Sequence, residues 1–458
     1  MENQQPGERP KLPLFRGVMY SAGNMSSQFL QWAFVTYLVY YYSPPDEANR
    51  LLPVGITTAV VAIGRFLDGF LEPLTGYWSD RANTRWGRRI PFIMFGGLPM
   101  CVFFMLLWYP PFEPNSFGMI AWLTVISTLF WFCITLVFCP YLALLAEIAQ
   151  TSRDRILISQ LMQVFLFVAT GLVMYLPSVF EPIRENPQMF LLIGLLGLVS
   201  IYMPVIGIPE KKYTLRKQEE EAYSLIEALK WTFTNRAFLV YVISSIFLMM
   251  GFQTIMNGIM YIVTVLLGRP ESDLIFFFGI ILVSTMICFF ITMKLSEKYT
   301  KKFVYSLCIL IMGLVLPFAF FLGNDTFLGI STYHFGCVIF FFLGFPVAGI
   351  VSLGLPIIAD IADYDEKITG RRREAIFYGA QGILQKYTIA LTYVLQGFLF
   401  SRYGYTPGNH LGIQLLGPVT GAFVVIGFFI FLFYPLDEKT TTLEHTPASK
   451  LISKILKK

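Results

Sequence analysis

The chain has 458 residues, of which 55% are hydrophobic and 14% are charged, and its mean hydropathy is +0.62. Because a soluble globular domain carries about 25% charged residues, this composition excludes a soluble protein and indicates one that lies in a lipid bilayer. The net charge of +5 reflects basic turns between apolar runs, and nucleic acid is not an expected partner.

Apolar runs divide the chain into membrane-spanning segments. A helix that spans a bilayer needs about 20 apolar residues, and twelve such runs lie between charged or Pro- and Gly-rich breaks. We therefore predict an all-α integral membrane protein with twelve transmembrane helices. The predicted spans are 17–42, 50–78, 90–109, 117–146, 156–180, 188–208, 237–267, 272–294, 303–322, 330–362, 374–402 and 412–435.

The distribution of Lys and Arg predicts the orientation of the spans. Most of the 34 basic residues fall in the N-terminus, in the turns after even-numbered spans and in the C-terminal tail. Because basic residues are retained on the cytoplasmic side, both termini are predicted to be cytoplasmic. We expect a multi-pass protein of the cell (plasma) membrane.

Three ionisable residues, Arg65, Asp68 and Glu72, interrupt the apolar run of the second span. Spacings of three and four residues place them on adjacent turns of one helical face. A charge at the bilayer centre costs about 3 kcal/mol or more on insertion scales, so these residues call for an explanation. Two carboxylates one turn apart favour a cation site. A structural ion pair that merely holds helices together is the alternative.

A basic turn follows the second span and carries Asp80, Arg81, Arg88 and Arg89. Retention of positive charge on the cytoplasmic side is sufficient to explain its arginines. We also predict that acids near the ends of the second, fourth and tenth spans pair with arginines to close the cytoplasmic side in the outward-facing state. The predicted coupling and gate residues are Arg65, Lys386, Asp80, Arg81, Arg88, Arg89, Glu147, Asp363, Arg371 and Arg372.

The ends of the fourth and tenth spans share a pattern that indicates an internal repeat. A Pro, two Ala and an acid recur at identical spacing in 140–147 and 356–363, and a basic turn follows each segment. The longest internal polar stretch separates the two copies. We predict an N-terminal six-helix bundle in 1–208, a cytoplasmic linker in 209–236, and a C-terminal six-helix bundle with a cytoplasmic tail in 237–458.

These residues resemble the glycoside-pentoside-hexuronide:cation symporters, the melibiose permease branch of the major facilitator superfamily. The resemblance covers about residues 20 to 434. It rests on Arg65-Phe-Leu-Asp68-Gly-Phe-Leu-Glu72-Pro73, on Pro140, on Ala359-Asp360-Ile-Ala-Asp363-Tyr364-Asp365-Glu366 with the following Thr369-Gly370-Arg371-Arg372-Arg373-Glu374, and on Gln381 and Lys386. It implies the major facilitator fold, with two six-helix bundles and a substrate site between the halves.

The resemblance implies that Asp68, Glu72 and Thr135 bind the coupling cation. The family holds its ion with an acid, an Asn and a second acid in the second span, and a Thr in the fourth. In this chain Leu71 replaces the Asn, and Glu72 is longer than the usual Asp. Because hard cations need several oxygen ligands, we expect Na⁺ at a looser site, or H⁺, as the coupling ion and no other cofactor. Lys386 is expected to exchange between these acids and substrate-dependent states; the alternative is a static counter-ion.

A sugar-like solute is also implied, although this chain departs from the family at several positions. The family's sugar-binding acids in the first and fourth spans correspond to Gln28 and Phe138, and its Arg in the fifth span corresponds to Gln163. Amides hold hydroxyl groups, and aromatic side chains stack on a sugar ring or an apolar tail. The predicted substrate-binding residues are Gln28, Trp131, Phe138, Gln163, Gln381 and Lys386.

We therefore expect a monomeric, cation-coupled secondary symporter that imports a sugar or glycoside by alternating access. A symporter of lysolipids or other amphipaths is an alternative, which Leu71 and Phe138 favour. A nutrient sensor that binds solute without moving it is a further alternative, and retention of both acids and Lys386 argues against it. The sequence has no phosphate-binding loop, nucleophile elbow or metal motif, so an enzyme is not expected.

Overall fold

A computed structural model describes residues 12–82, 84–149, 151–213, 233–323, 326–327, 329–369 and 374–436. Helices provide nearly all of the regular structure in these ranges, together with one antiparallel pair of short strands, β1 (Thr326–Phe327) and β2 (Ile330–Ser331). The α-helices are α1 (Leu14–Ala22), α2 (Asn24–Tyr42), α3 (Val54–Arg81), α4 (Ile90–Leu106), α5 (Phe117–Ile148), α6 (Ser152–Tyr175), α7 (Gln188–Gly207), α8 (Glu210–Tyr213), α9 (Arg236–Tyr261), α10 (Leu274–Lys298), α11 (Lys301–Val315), α12 (Thr332–Thr369), α13 (Glu374–Tyr403) and α14 (Leu411–Leu432). Short 3-10 helices occur at Glu47–Asn49, Leu176–Ser178, Glu271–Asp273 and Leu316–Phe321, and a π-helical segment at Ile262–Leu266.

The predicted spans coincide with these helices, and the all-α membrane architecture is confirmed. Nine helical segments of the described chain are long and apolar enough to cross a membrane, and the apolar α4 is shorter, with 17 residues. The first predicted span consists of two helices, because the helix is interrupted at Gly23. A Cβ atom at Gly23 would overlap the ring of Pro204, so glycine is required where α7 approaches this point.

Hydroxyl side chains cap the N-termini of several helices at the turns between spans. Ser116, Thr151 and Thr300 each accept a hydrogen bond from the backbone N–H three residues later, at 3.0 to 3.1 Å. Such caps satisfy one of the N–H groups that the first turn of a helix leaves without a partner. The starts of α5, α6 and α11 are therefore set by local sequence.

The described residues form two compact units. The first contains those within Met1–Ala222, Gln253–Phe278 and Lys386–Gln414, and the second those within Tyr223–Phe252, Gly279–Gln385 and Leu415–Lys458. Four helices, α9, α10, α13 and α14, contribute to both units. The domain boundaries at 208 and 236 stay a prediction, and 214–232 of the predicted linker lie outside the described residues.

In the first unit, segments from the second half of the sequence pack against the end of α2 and the start of α3. We call this region the Tyr261 end. The Tyr261 hydroxyl lies 2.7 Å from the carbonyl oxygen of Ser43 and 3.1 Å from that of Val39. A Cβ atom on Gly397 of α13 would overlap Thr58 Oγ1 of α3. Because a small residue lets two helix backbones approach closely, Gly397 permits α13 to lie directly against α3.

The second unit is built around α11 and α12. A Cβ atom on Gly349 of α12 would overlap the sulfur of Cys308 of α11, so these helices also meet through a glycine. Tyr241 of α9 is buried and donates to the Gly354 carbonyl oxygen at 3.0 Å. These contacts fix the part of α12 that precedes its charged end.

Candidate cation and solute site

Lys386 lies between the two acids of α3. Its Nζ is 3.1 Å from Asp68 Oδ2 and 3.2 Å from Glu72 Oε2, and it donates to Thr135 Oγ1 at 3.1 Å. Thr135 in turn donates to Asp68 Oδ1. The structure thus places the three predicted cation-binding residues around one ammonium group, with α3, α5 and α13 each contributing.

The two carboxylates differ in exposure. The Asp68 side chain is 1% exposed, whereas that of Glu72 is 39% exposed. Glu72 lies on the face of α3 opposite Phe70, which belongs to the exposed apolar face of this helix. The exposure of Glu72 is therefore not toward the side that presents apolar groups to lipid.

A glycine determines how closely α3 and α13 approach at this level. A Cβ atom on Gly69 would lie 2.7 Å from the ring of Tyr387, which is closer than real side chains pack. Gly69 follows Asp68 directly, and Tyr387 follows Lys386. Gly69 therefore allows α3 and α13 to approach closely enough for Lys386 to contact Asp68.

Arg65 completes the charged centre. Its NH1 lies 3.3 Å from Asp68 Oδ2, and its guanidinium carbon lies 3.7 Å from the centre of the Trp131 ring. Trp131 is 1% exposed and packs against Phe34 and Phe130. Arg65 Nε and Trp131 Nε1 find no hydrogen-bond partner among the described residues. Stacking on an aromatic ring holds the guanidinium in place and does not neutralise its charge.

The centre is balanced in charge. Two positive groups, Arg65 and Lys386, face two carboxylates, Asp68 and Glu72. Buried charges are tolerated when they are paired and hydrogen-bonded. A further cation bound here would leave one positive charge uncompensated.

The other predicted substrate-binding residues have different surroundings. Gln28 of α2 is partly exposed and accepts from Trp32 Nε1 at 3.0 Å. Phe138 is buried, edge-on to Tyr141, and Gln163 is exposed on α6. Gln381 lies in the second unit and donates to the Tyr241 hydroxyl at 3.2 Å. Their roles stay predictions.

The arginines of the turn between α3 and α4 form ion pairs with two acids, in a region that we call the Arg89 end. Arg89 NH2 lies 3.1 Å from Asp80 Oδ1 and 3.0 Å from Glu147 Oε1, and Arg88 also pairs with Glu147. Arg81 instead lies over the ring of Tyr77, 4.1 Å from its centre. Four of the predicted gate residues therefore meet, and their role in gating stays a prediction.

Glu210 was not identified from the sequence, and it organises the same turn. Its carboxylate accepts hydrogen bonds from the backbone N–H groups of Arg88, Arg89 and Ile90 at 2.8 to 3.1 Å, and it is 1% exposed. Gly87 has φ of +126°, and a Cβ atom there would overlap Glu210. An acid at the start of α4 also interacts favourably with the helix dipole.

The predicted gate residues of the repeat's second copy are only partly described. Asp363 is exposed and lines a cavity of about 610 Å³ in the second unit, whereas Asp360 pairs with Lys301 at 2.8 Å. Arg371 and Arg372 lie outside the described residues.

This architecture, with a balanced charged centre inside a set of apolar helices, defines a multi-pass membrane transporter. A family model described as "MFS/sugar transport protein" matches residues 19–438, and the chain belongs to this family. The resemblance to the glycoside-pentoside-hexuronide:cation symporters of the major facilitator superfamily is thereby confirmed, and the protein is a transporter rather than an enzyme.

Similar proteins agree with this classification. A symporter named YnaJ of Bacillus subtilis (strain 168) is 26% identical over 94% of this chain and 93% of its own length. The lactose permease of Leuconostoc lactis is 22% identical over 92% of this chain and 67% of its own length. The crystal structure of the nucleoside transporter NupG has a TM-score of 0.67 and 13% identity, and the match covers 91% of this chain and 98% of that structure. The last comparison supports the fold.

Proposed function

We propose that the protein couples the uptake of a sugar or glycoside to a cation, Na⁺ or H⁺, that binds at Asp68, Glu72 and Thr135. The observation that carries the proposal is the position of Lys386, whose ammonium group contacts all three residues. A lysine that occupies a cation site competes with the cation. The site is therefore suited to an exchange between an internal and a transported positive charge.

The electrostatics give this exchange its strength. Two unit positive charges about 4 Å apart repel by about 4 kcal/mol at the effective dielectric constant of a partly buried site. A cation at Asp68 and Glu72 therefore displaces the Lys386 ammonium from these carboxylates. The displaced Lys386 is then available to donate hydrogen bonds to the solute, which links cation binding to solute binding.

The proposal also covers the location, the membrane orientation and the oligomeric state of the protein. We place it in the plasma membrane with cytoplasmic termini, because most Lys and Arg residues fall on the side of the termini. We also propose that it acts as a monomer in the lipid bilayer.

Counterflow in proteoliposomes tests the function. The panel contains glycosides, pentosides, hexuronides and lysophospholipids, each with Na⁺ or with H⁺ as the available cation. Exchange of one sugar class, stimulated by one cation, is the expected result and identifies both. Exchange of lysophospholipid alone would establish the amphipath carrier, and binding without exchange would establish the sensor.

A substitution tests the cation site itself. Asp68→Asn keeps the size of the side chain and removes its charge, and we expect it to abolish cation-stimulated uptake while expression is retained. Asp46→Asn is the matched control, because Asp46 lies in an exposed turn where it caps Glu47–Asn49. Cation-driven accumulation by Asp68→Asn at the rate of this control would contradict the proposal.

A further inference from the structure

The buried helix α2 carries one partly exposed stripe. Residues Met25, Gln28, Gln31 and Trp32 are partly exposed, and every other residue of α2 is buried. Spacings of three, four and seven residues place the stripe along one side of the helix. The helix is therefore enclosed by protein except along this line.

The stripe is too polar to face lipid. A side-chain amide in hydrocarbon loses its hydrogen bonds to water, which costs roughly 2 kcal/mol or more, and the stripe carries Gln28 and Gln31. Because the exposed face of α3 is apolar, as Phe66 and Phe70 illustrate, whereas this stripe carries two amides, we take the stripe to border an aqueous space within the transporter. A solute in that space meets these side chains.

Trp32 is held in a fixed orientation on this stripe. Its Nε1 donates to Gln28 Oε1 at 3.0 Å, and its ring lies edge-on to Phe278, with 5.9 Å between ring centres and an angle of 70°. Gln28 Nε2 donates to Ser27 Oγ at 3.0 Å. After these bonds the Gln28 amide retains one N–H and one oxygen lone pair for a further partner.

Trp131, which the sequence analysis predicted to bind substrate, is enclosed by neighbouring side chains. The Arg65 guanidinium covers one face of its ring at 3.7 Å, Phe34 and Phe130 pack on it, and 1% of it is exposed. A sugar ring cannot stack on a face that a guanidinium already covers. In the first unit, Trp32 combines a fixed ring, partial exposure and a neighbouring amide.

We propose that Trp32 is the stacking platform for the sugar ring and that Gln28, oriented by the Trp32 indole, hydrogen-bonds a hydroxyl group of the same ring. This inference rests on the proposed sugar transport and adds a specificity-determining residue to it. It implies a solute with an apolar ring face beside an equatorial or axial hydroxyl, as pyranosides have. Stacking on an indole discriminates by ring shape, and one amide discriminates by hydroxyl position.

Counterflow kinetics of Trp32→Leu and Trp32→Phe test the role of the ring. The probe is whichever glycoside of the panel exchanges fastest with the wild-type protein. We expect Trp32→Leu to raise KM about 3- to 10-fold with little change in kcat, and Trp32→Phe to raise it less, because an aromatic contact adds about 0.5–1.5 kcal/mol beyond area burial. Trp78→Phe, on the exposed apolar side of α3, is the matched control and should leave KM unchanged.

Intrinsic fluorescence provides a second readout that does not need transport. Addition of the same glycoside should change the emission of the wild type and of Trp78→Phe, and most of this change should be absent in Trp32→Phe. A wild-type KM in Trp32→Leu, or an unaltered fluorescence response in Trp32→Phe, would overturn the inference while sugar transport stands. If the wild type exchanges no glycoside of the panel, the proposed function and this inference fall together.

Discussion

Removal of the Glu210 carboxylate should destabilise the turn at the Arg89 end. In Glu210→Ala, the backbone N–H groups of Arg88, Arg89 and Ile90 lose the acceptor that they share. A hydrogen bond to a charged group contributes about 1.5–3 kcal/mol, and a helix cap about 1 kcal/mol. Because water entering the space left by Glu210 would solvate some of these groups, we expect a loss of about 2–4 kcal/mol in unfolding free energy.

Thermal unfolding of the purified protein in detergent measures this loss. For a chain of this length, about 1 kcal/mol corresponds to roughly 1 °C in the unfolding midpoint, so Glu210→Ala should lower the midpoint by about 2–4 °C. Glu210→Gln retains one oxygen acceptor and should lower it less. Glu113→Ala, in the exposed turn before α5, is the control for removal of a surface acid. A midpoint for Glu210→Ala within about 1 °C of this control would refute the capping argument.

Three other contacts give expectations of their own. Gly397→Ala should reduce transport and lower the unfolding midpoint, since its methyl group overlaps Thr58 Oγ1; Thr58→Ala should partly restore both if the overlap is the cause. Tyr261→Phe removes the hydroxyl that contacts the Ser43 carbonyl oxygen at 2.7 Å, which is worth about 1 kcal/mol; thiol labelling of a cysteine introduced at position 43 should become roughly fivefold faster. Glu147→Gln removes the charge that pairs with two arginines and should speed thiol labelling at the Arg89 end, whereas an unchanged rate would show that these pairs do not restrain it.

The sequence predicted the charged centre because intramembrane charge is rare and therefore conspicuous. Asp68 and Lys386 stand in apolar runs, and a helical spacing relates Asp68 to Glu72. The contact between Lys386 and Thr135 joins residues that are far apart in the chain, and here the resemblance to a family supplied what periodicity does not. The stacking of Arg65 on a buried tryptophan was not predicted, because it depends on the rotation of α5 relative to α3.

Glu210 shows why other parts of the site were missed. It stands in a polar stretch after the sixth predicted span. A carboxylate in such a stretch is expected to be solvated, so its sequence position indicates no structural role. Its partners are backbone N–H groups, which have no sequence signature apart from Gly87 and the start of α4. The register of the repeat stays a prediction, because Arg371 and Arg372, which follow Asp363 in the position of Glu147, lie outside the described residues.

The two sequence halves contribute unequally to the charged centre. Its acids come from α3 in the first half, and its lysine comes from α13 in the second. Residues 274–293, the apolar part of the predicted eighth span (272–294) and the counterpart of α3 in the repeat, contain no charged side chain; Asp273 and Lys294 lie at the ends of that span. An ion pair that joins α13 to α3 is an attachment between the two halves of the sequence, and it can be released by a competing cation. The Gly397 and Tyr261 contacts also attach second-half segments to the first unit, as does the hydrogen bond from the Ile183 N–H to Glu271. After release at Lys386, packing and hydrogen-bond contacts of this kind still restrain these segments, and their free energies then set the balance between states.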